Sequence, residues 1–256
     1  MLLAIDVGNT HTVCGVWDGK AWLAIWRRAT NTQDTEDEVA VWLKGVFDLA
    51  GIPWAVDAAI CGSVVPAIDK VWSKAVEAWL TVPLRFLKSG AEVGLPVTYN
   101  PPTAVGADRI ANALAALERF KAPIIVVDFG TATTFDTIDR NGTYVGGAIL
   151  TGVTLSSQAL FDKAAKLPRV EYVPPEHAIG TNTVESLQSG IMFGYAGAID
   201  ALAGRINKEL GGGATILATG GLGGMFVGLC ESLTSYEPNL TLDGLVVASN
   251  RLASAL

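Results

Sequence analysis

One pattern occurs twice in this chain. At the start, the apolar run Leu2-Leu3-Ala4-Ile5 meets Asp6-Val7-Gly8-Asn9-Thr10; near the middle, Ile124-Ile125-Val126-Val127 meets Asp128-Phe129-Gly130-Thr131. Each copy continues in the same way: a strand-like segment, a glycine turn (Asp18-Gly19, then Asn141-Gly142), and a second strand-like segment. The two aspartates, at 6 and 128, lie 122 positions apart in 256 residues, about half the chain. A repeat on this scale predicts an α/β protein of two similar lobes facing each other across a cleft. The expected division is residues 1–117 and 118–256, linked by a helix over 107–120 whose Ile110, Leu114 and Leu117 share one face.

Further elements fit this frame. Residues 34–50 carry Val39, Leu43, Val46 and Phe47 at helical spacing, and residues 58–66 read as a buried strand turning into a helix over 69–80. In the second half a long helical stretch is expected from about Thr154, and Ala214–Ala218 reads as a strand running into Thr219-Gly220-Gly221.

Composition narrows the function classes. Half of the residues are hydrophobic, enough for a large core, and only 17% are charged, which argues against disorder. A formal net charge of −7 argues against a broad nucleic-acid surface. It leaves room for a phosphate-bearing ligand, because glycine loops and a bound metal hold phosphate on an acidic protein. No apolar run approaches the roughly 18–20 residues of a membrane helix. The opening residues lack the basic segment of a secretion signal, so the expected compartment is the cytoplasm. Cys14, Cys61 and Cys230 are odd in number and widely spaced, as expected of buried free thiols.

Four elements carry chemistry. A carboxylate at a strand end, directly before a glycine, leaves a tight turn whose backbone a phosphate can approach; Asp6 is placed to hold hydrated Mg²⁺. A single turn of this kind is more often a plain hairpin, but a second copy at Asp128–Thr131, crowded by the hydroxyls of Thr131, Thr133 and Thr134, favours a phosphate-binding cleft gripped from both sides. Thr219-Gly220-Gly221-Leu222-Gly223-Gly224 suits an adenine–ribose platform or a flexible turn. Gly106-Ala107-Asp108-Arg109 opens a helix: Asp108 is either an acid complementing the helix dipole or a general base, and Arg109 supplies the cationic charge that phosphoryl transfer to an alcohol needs.

With these elements located, the chain resembles the type III pantothenate kinases. The matching segments are Asp6–Thr10, Ser63–Pro66, Gly106–Arg109, Asp128–Thr134, Gly146–Ile149, Lys166–Val170, Asn182-Thr183 with Ser189-Gly190, and Thr219–Gly221. They run in the family's order across nearly the whole chain. Thr151 stands where the family usually has a proline.

The resemblance implies a pair of ribonuclease-H-like lobes of the actin/Hsp70/sugar-kinase superfamily. It implies ATP-dependent phosphorylation of pantothenate, the first step towards coenzyme A. It also implies site residues. Asp6, Val7, Gly8, Asn9, Thr10, His11, Thr12 and Val13 would contact ATP phosphates and Mg²⁺, with Thr131, Gly220 and Gly221 also on the nucleotide. Asp108 would accept the proton. Tyr99, Gly106, Ala107, Asp108, Arg109 and Thr183 would line the pantothenate pocket, and Asp128 would bind a monovalent cation, K⁺ or NH₄⁺. A homodimer is implied, with the pocket near its interface and Thr183 acting from the partner subunit. Kinases of another small alcohol or sugar, and non-catalytic ATP-binding regulators, are the alternatives; intact Asp6, Asp108, Arg109 and Asp128 argue against the latter.

All seven tryptophans lie in the first half, where packing explains them better than ligand stacking. His11 stands beside the first loop and is as readily structural as phosphate-facing.

Overall fold

In the computed structural model, which describes residues 1–254, the first strand organises everything around it. Strand β1 (Leu2–Val7) pairs antiparallel with β2 (His11–Trp17) and parallel with β4 (Ala58–Ser63). Leu2 to Ile5 are buried, as a strand covered on both faces requires. With β3 (Trp22–Ala29) and β5 (Leu84–Phe86) the sheet order is β3-β2-β1-β4-β5. The β2–β3 turn is fixed by the Asp18 carboxylate, which accepts from the amides of Lys20 and Ala21 at 2.7 and 2.8 Å.

Two helices cover one face of this sheet. Helix α1 (Glu36–Leu49) starts at a capping box in which Thr35 and Glu38 satisfy each other's backbone amides. Helix α2 (Pro66–Leu80) starts at a proline, whose fixed φ suits the first helical turn. Val39, Leu43, Phe47, Ile68, Trp72 and Val76 form the core with Leu3, Ile5 and Val7, and Trp26, Trp42 and Trp54 pack around it. The tryptophans thus serve mainly as packing, although Trp79 is exposed. On the other face lies helix α3 (Ala107–Arg119), which the sequence places correctly within a residue.

The second half repeats the design. Strands β6 (Ile124–Phe129), β7 (Ala132–Ile138) and β8 (Tyr144–Thr151) have 6, 7 and 8 residues, the lengths of β1, β2 and β3. With β9 (Thr215–Thr219) and β10 (Ser235–Tyr236) the order is β10-β9-β6-β7-β8, the same topology strand for strand. A register shift falls near the end of both β2 and β7. Helices α4 (Val153–Lys163) and α5 (Thr183–Glu209), with the short α6 (Gly223–Phe226), complete this half.

Two expectations are corrected. The helical stretch from Thr154 is not continuous: α4 ends at Lys163 and an irregular segment runs to Asn182. Pro168, Pro174 and Pro175 lie in that segment and cannot supply helical amides. The last helix, α7 (Leu240–Ser254), belongs not with the second unit but with the first: one compact unit comprises residues 1–118 and α7, the other residues 119–239. Leu240, Leu242, Leu245 and Ala248 of α7 are buried. Trp22 Nε1 donates to Asp243 at 2.7 Å, and Thr241 Oγ1 donates to the buried Asn112 of α3 at 2.8 Å. The apolar face of a helix is legible from its period, but which core it joins is not.

All three cysteines are free and buried. Burial pushes the Cys14 and Cys61 thiols well up from their ordinary range and Cys230 to about 12, so none is poised as a nucleophile. Among the described residues no helix is long and apolar enough to cross a membrane.

The α3–α7 contact is close enough to test. A side chain at Gly244 would run into the backbone of Ala111. Glycine in a helix ordinarily costs about 0.5–1 kcal/mol relative to alanine, whereas overpacking costs about 1–3 kcal/mol, so the clash outweighs the propensity. Gly244→Ala is expected to lower the midpoint of urea unfolding, and an unchanged or raised midpoint would show that α7 is not pressed on α3.

Candidate active site

In the first unit, β1 delivers Asp6 to the carboxyl end of the sheet, opposite Gly62 of β4. The chain then turns through Gly8, whose amide donates to the His11 carbonyl at 3.0 Å. Thr30, just past the end of β3, braces this turn: its hydroxyl donates to the Gly8 carbonyl at 2.6 Å and stands 2.9 Å from the Thr12 hydroxyl, and its amide donates to the Thr10 carbonyl. Asn9, Thr10 and His11 form the exposed tip, and Asp6 is half-buried beneath them. Val7 and Thr12, expected among the ligand contacts, turn their side chains into the core, so only their backbone is presented. Thr30, a structural part of the turn, was not singled out by sequence because it lies a strand away.

The start of α3 sits beside this turn. A Cβ on Gly62, the register partner of Asp6, would lie 3.6 Å from Ala107 Cβ, and one on Gly106 would lie 3.4 Å from Val64 Cγ1. Asp6 and the Gly106–Arg109 segment therefore gather at the same end of the same pair of strands. The Asp108 carboxylate accepts from the Arg109 amide at 2.8 Å and folds back so that any side chain at Gly106 would collide with it. Burial raises its pKa; the amides at the helix start and the Arg109 charge oppose the shift without cancelling it. Arg109 is itself buried. Tyr99 lies half-buried in the segment preceding α3.

In the second unit β6 delivers Asp128 in the same way, opposite Thr134 of β7 and Thr219 of β9. Gly130 N donates to the Ala132 carbonyl at 3.1 Å, and Thr131 is the exposed tip. Of the three threonines expected to crowd this loop with hydroxyls, two are engaged elsewhere. Thr133 is buried against Tyr195, and Thr134 donates to the fully buried Asp136, which also accepts from Tyr144.

Gly220 follows β9 at φ +81°, and a side chain there would collide with the Asp128 carboxylate and the Phe129 backbone. Tyr236 Oη donates to the Gly220 carbonyl at 3.0 Å, and a Cβ on Gly223 or Gly224 would come within 2.9 or 3.1 Å of the Tyr236 ring. This glycine segment is therefore a packed turn rather than a flexible one. Gly221 is exposed beside it. Thr183, the exposed first residue of α5, lines a surface hollow of about 350 Å³ with Leu167, Gly180, Asn182 and Ser186.

Among the described residues no cluster of three His, Cys, Asp or Glu side chains converges. A single strand-end carboxylate is a donor of the kind that suits a hydrated cation, whose remaining positions are left to water or phosphate oxygen. At Asp128 the missing side chain of Gly220 leaves a cradle against the carboxylate.

A duplicated five-stranded unit with an acidic turn at the end of each central strand is the fold of the actin/Hsp70/sugar-kinase ATPases. A Sinorhizobium meliloti structure, provisionally titled a 2-dehydro-3-deoxygalactonokinase, superposes with a TM-score of 0.59 at 14% identity, covering 100% of this chain and 97% of that one. A Campylobacter jejuni structure, provisionally titled a Baf family transcriptional activator, gives 0.64 at 17% identity, covering 98% and 99%. At such identities these show the fold alone.

Residues 2–205 match the family model described as type III pantothenate kinase. The type III pantothenate kinase of Myxococcus xanthus is 44% identical over 252 residues, covering 98% of both chains. That of Desulfatibacillum aliphaticivorans is 44% identical over 257 residues, covering 100% of both. The chain belongs to the type III pantothenate kinase family.

The environment of Asp108 has a consequence for stability. Its folded-state pKa lies above the unfolded one, so ionisation works against folding once the pH exceeds the unfolded value, and fully so above the folded value. Asp108→Asn keeps an acceptor for the Arg109 amide and removes the charge. The variant is expected to unfold at higher urea concentration than wild type at pH 8, the difference closing as the pH falls through the raised carboxyl pKa. A variant less stable at pH 8 would contradict this account.

Proposed function

We propose that the protein transfers the γ-phosphoryl group of ATP to the primary hydroxyl of pantothenate, forming 4′-phosphopantothenate and ADP, the first step of coenzyme A biosynthesis. The observation that carries the reading is the pairing of a half-buried, base-shifted Asp108 with a buried Arg109 at the strand ends that also bear Asp6. Phosphoryl transfer needs little covalent work from the protein; it needs positioning and neutralisation of charge.

Asp108 accepts or steers the hydroxyl proton as the new oxygen–phosphorus bond forms and the bond from the γ-phosphorus to the bridging oxygen of ADP breaks. A carboxyl with a raised pKa is a stronger base than an ordinary aspartate once ionised. Arg109, with Gly106, Ala107 and Tyr99, orients the alcohol. The backbone of Asp6 to Val13 and the tip residues Asn9, Thr10 and His11 receive the phosphates, and Thr131, Gly220 and Gly221 are assigned to the nucleotide. Asp6 would hold Mg²⁺ and Asp128 a monovalent cation, K⁺ or NH₄⁺; when bound, these ions offset phosphate charge on a chain of net charge −7.

We also assign a homodimer, with Thr183 reaching the pantothenate of the partner subunit. The exposed apolar side chains Val145, Ile149, Leu155, Leu160 and Val184 on β8, α4 and α5 support an interface on this part of the chain. The cytoplasm, where ATP is made and spent, is the fitting compartment.

The test is ADP release by the purified protein with ATP, Mg²⁺ and K⁺. Turnover that depends on pantothenate is expected, and turnover with another alcohol but not with pantothenate would overturn the assignment. In the same assay Asp108→Asn should lose about a hundredfold or more in kcat while retaining ATP binding. Wild-type kcat/KM should fall on the acid side at a pH above the usual aspartate range. Replacing K⁺ by Na⁺ should slow the reaction, and indifference to that exchange would remove the cation from Asp128.

A further inference from the structure

Thr131 is an exposed residue on a turn, yet both chain segments that flank it are tied to one side chain. Tyr195, on α5, places its hydroxyl oxygen 2.8 Å from Thr133 Oγ1 and 2.8 Å from the Thr151 carbonyl. A phenol has one hydrogen, and a carbonyl only accepts. The Tyr195 hydroxyl therefore divides its one hydrogen between Thr133 Oγ1 and the Thr151 carbonyl, and both bonds have the phenol as donor. Thr133 stands two residues beyond Thr131, at the start of β7. Thr151 is the last residue of β8, and the next amide, Gly152 N, donates to the Thr131 carbonyl at 3.2 Å. A side chain at Gly152 would collide with the carbonyls of Gly130 and Thr131, so the two segments lie in backbone contact.

The ring of Tyr195 continues the tie. It packs 5.5 Å from the Phe226 ring, which stacks on Phe129 at 5.1 Å with the planes 9° apart. Phe129 directly follows Asp128, and Phe226 lies on α6, the helix that follows the glycine turn. One half-buried tyrosine thus braces the Asp128–Thr131 turn and contacts α6, the helix that follows Gly220 and Gly221.

We infer that Tyr195 is a positioning residue for nucleotide binding, holding the Asp128–Thr131 turn in the conformation that receives ATP through the two hydrogen bonds of its hydroxyl. The inference rests on the assignment of Thr131 and Gly220 to the nucleotide. Tyr195 itself touches no reacting atom. Losing its hydroxyl removes the donor shared by Thr133 Oγ1 and the Thr151 carbonyl and loosens the segments that meet at Thr131. The ring keeps its contact with Phe226.

The test is direct titration of wild type, Tyr195→Phe and Tyr172→Phe with ATP in Mg²⁺ and K⁺, followed by calorimetry, alongside KM for ATP and for pantothenate. Tyr172 is the matched control: its hydroxyl bonds Ser157 at 2.6 Å, and its ring packs on the same core. Tyr195→Phe is expected to weaken ATP binding and raise KM for ATP about tenfold, the scale of one to two lost hydrogen bonds, with KM for pantothenate little changed. Tyr172→Phe should leave ATP affinity at the wild-type value whatever it does to thermal stability. Unchanged ATP affinity in Tyr195→Phe, or an equal loss in Tyr172→Phe, would overturn the positioning role. Wild type that binds no ATP would instead overturn the nucleotide assignment beneath it.

Discussion

The arrangement depends on one constraint: a strand buried on both faces must place its first charged residue where it leaves the core. Leu2 to Ile5 and Ile124 to Val127 are apolar because helices or neighbouring strands cover them, and Asp6 and Asp128 emerge at the end of each run, half-buried and next to a turn. A carboxylate in that position is held by the sheet but not enclosed by it. The glycine two residues on lets the chain turn tightly, and at Gly130 a side chain would come within 3.8 Å of the Asp128 carboxylate. The chemistry of each turn is thus a by-product of how a central strand ends, which is why copying the strand also copies the turn.

Much of this was legible in the sequence. The repeat announced two halves of one design, because the order of apolar run, acid, glycine and hairpin recurs with little change of spacing; the sheet order and the short edge strands β5 and β10 were not read from it. The start of α3 was legible from Gly106-Ala107-Asp108. What could not be read was anything set by contact between distant residues. The membership of α7 is decided by Trp22, Asn112 and Ala111, more than a hundred positions away, and period alone is silent on that. The direction in which Thr133 and Thr134 point their hydroxyls is fixed by Tyr195 and Asp136; from sequence, three threonines in four residues look equally available. The even spacing of Thr134 and Asp136 along a strand was a signal that could have placed them on one face.

The glycines show the same division. Gly223 and Gly224 could have been flexible joints, yet they are small because the Tyr236 ring occupies the space. Gly220 needs its conformation and also yields to the Asp128 carboxylate. Adjacent residues of one type therefore answer different demands, one set by packing and the other by access to a charged group. Arg109 illustrates the converse: an arginine that composition would place at the surface is buried beside an aspartate whose ionisation its charge favours.

The return of α7 to the first unit makes that unit discontinuous in the chain, with the whole of residues 119–239 inserted into it. During synthesis from the amino terminus, the inserted unit has all of its residues while the enclosing unit still lacks its last helix. Until that helix leaves the ribosome, α3 lacks the cover that Gly244 and Thr241 give Ala111 and Asn112. Completion of the first unit in this way waits on synthesis of the whole inserted unit, and a polypeptide cut short before α7 would hold every residue of the second unit while leaving the first without its closing helix.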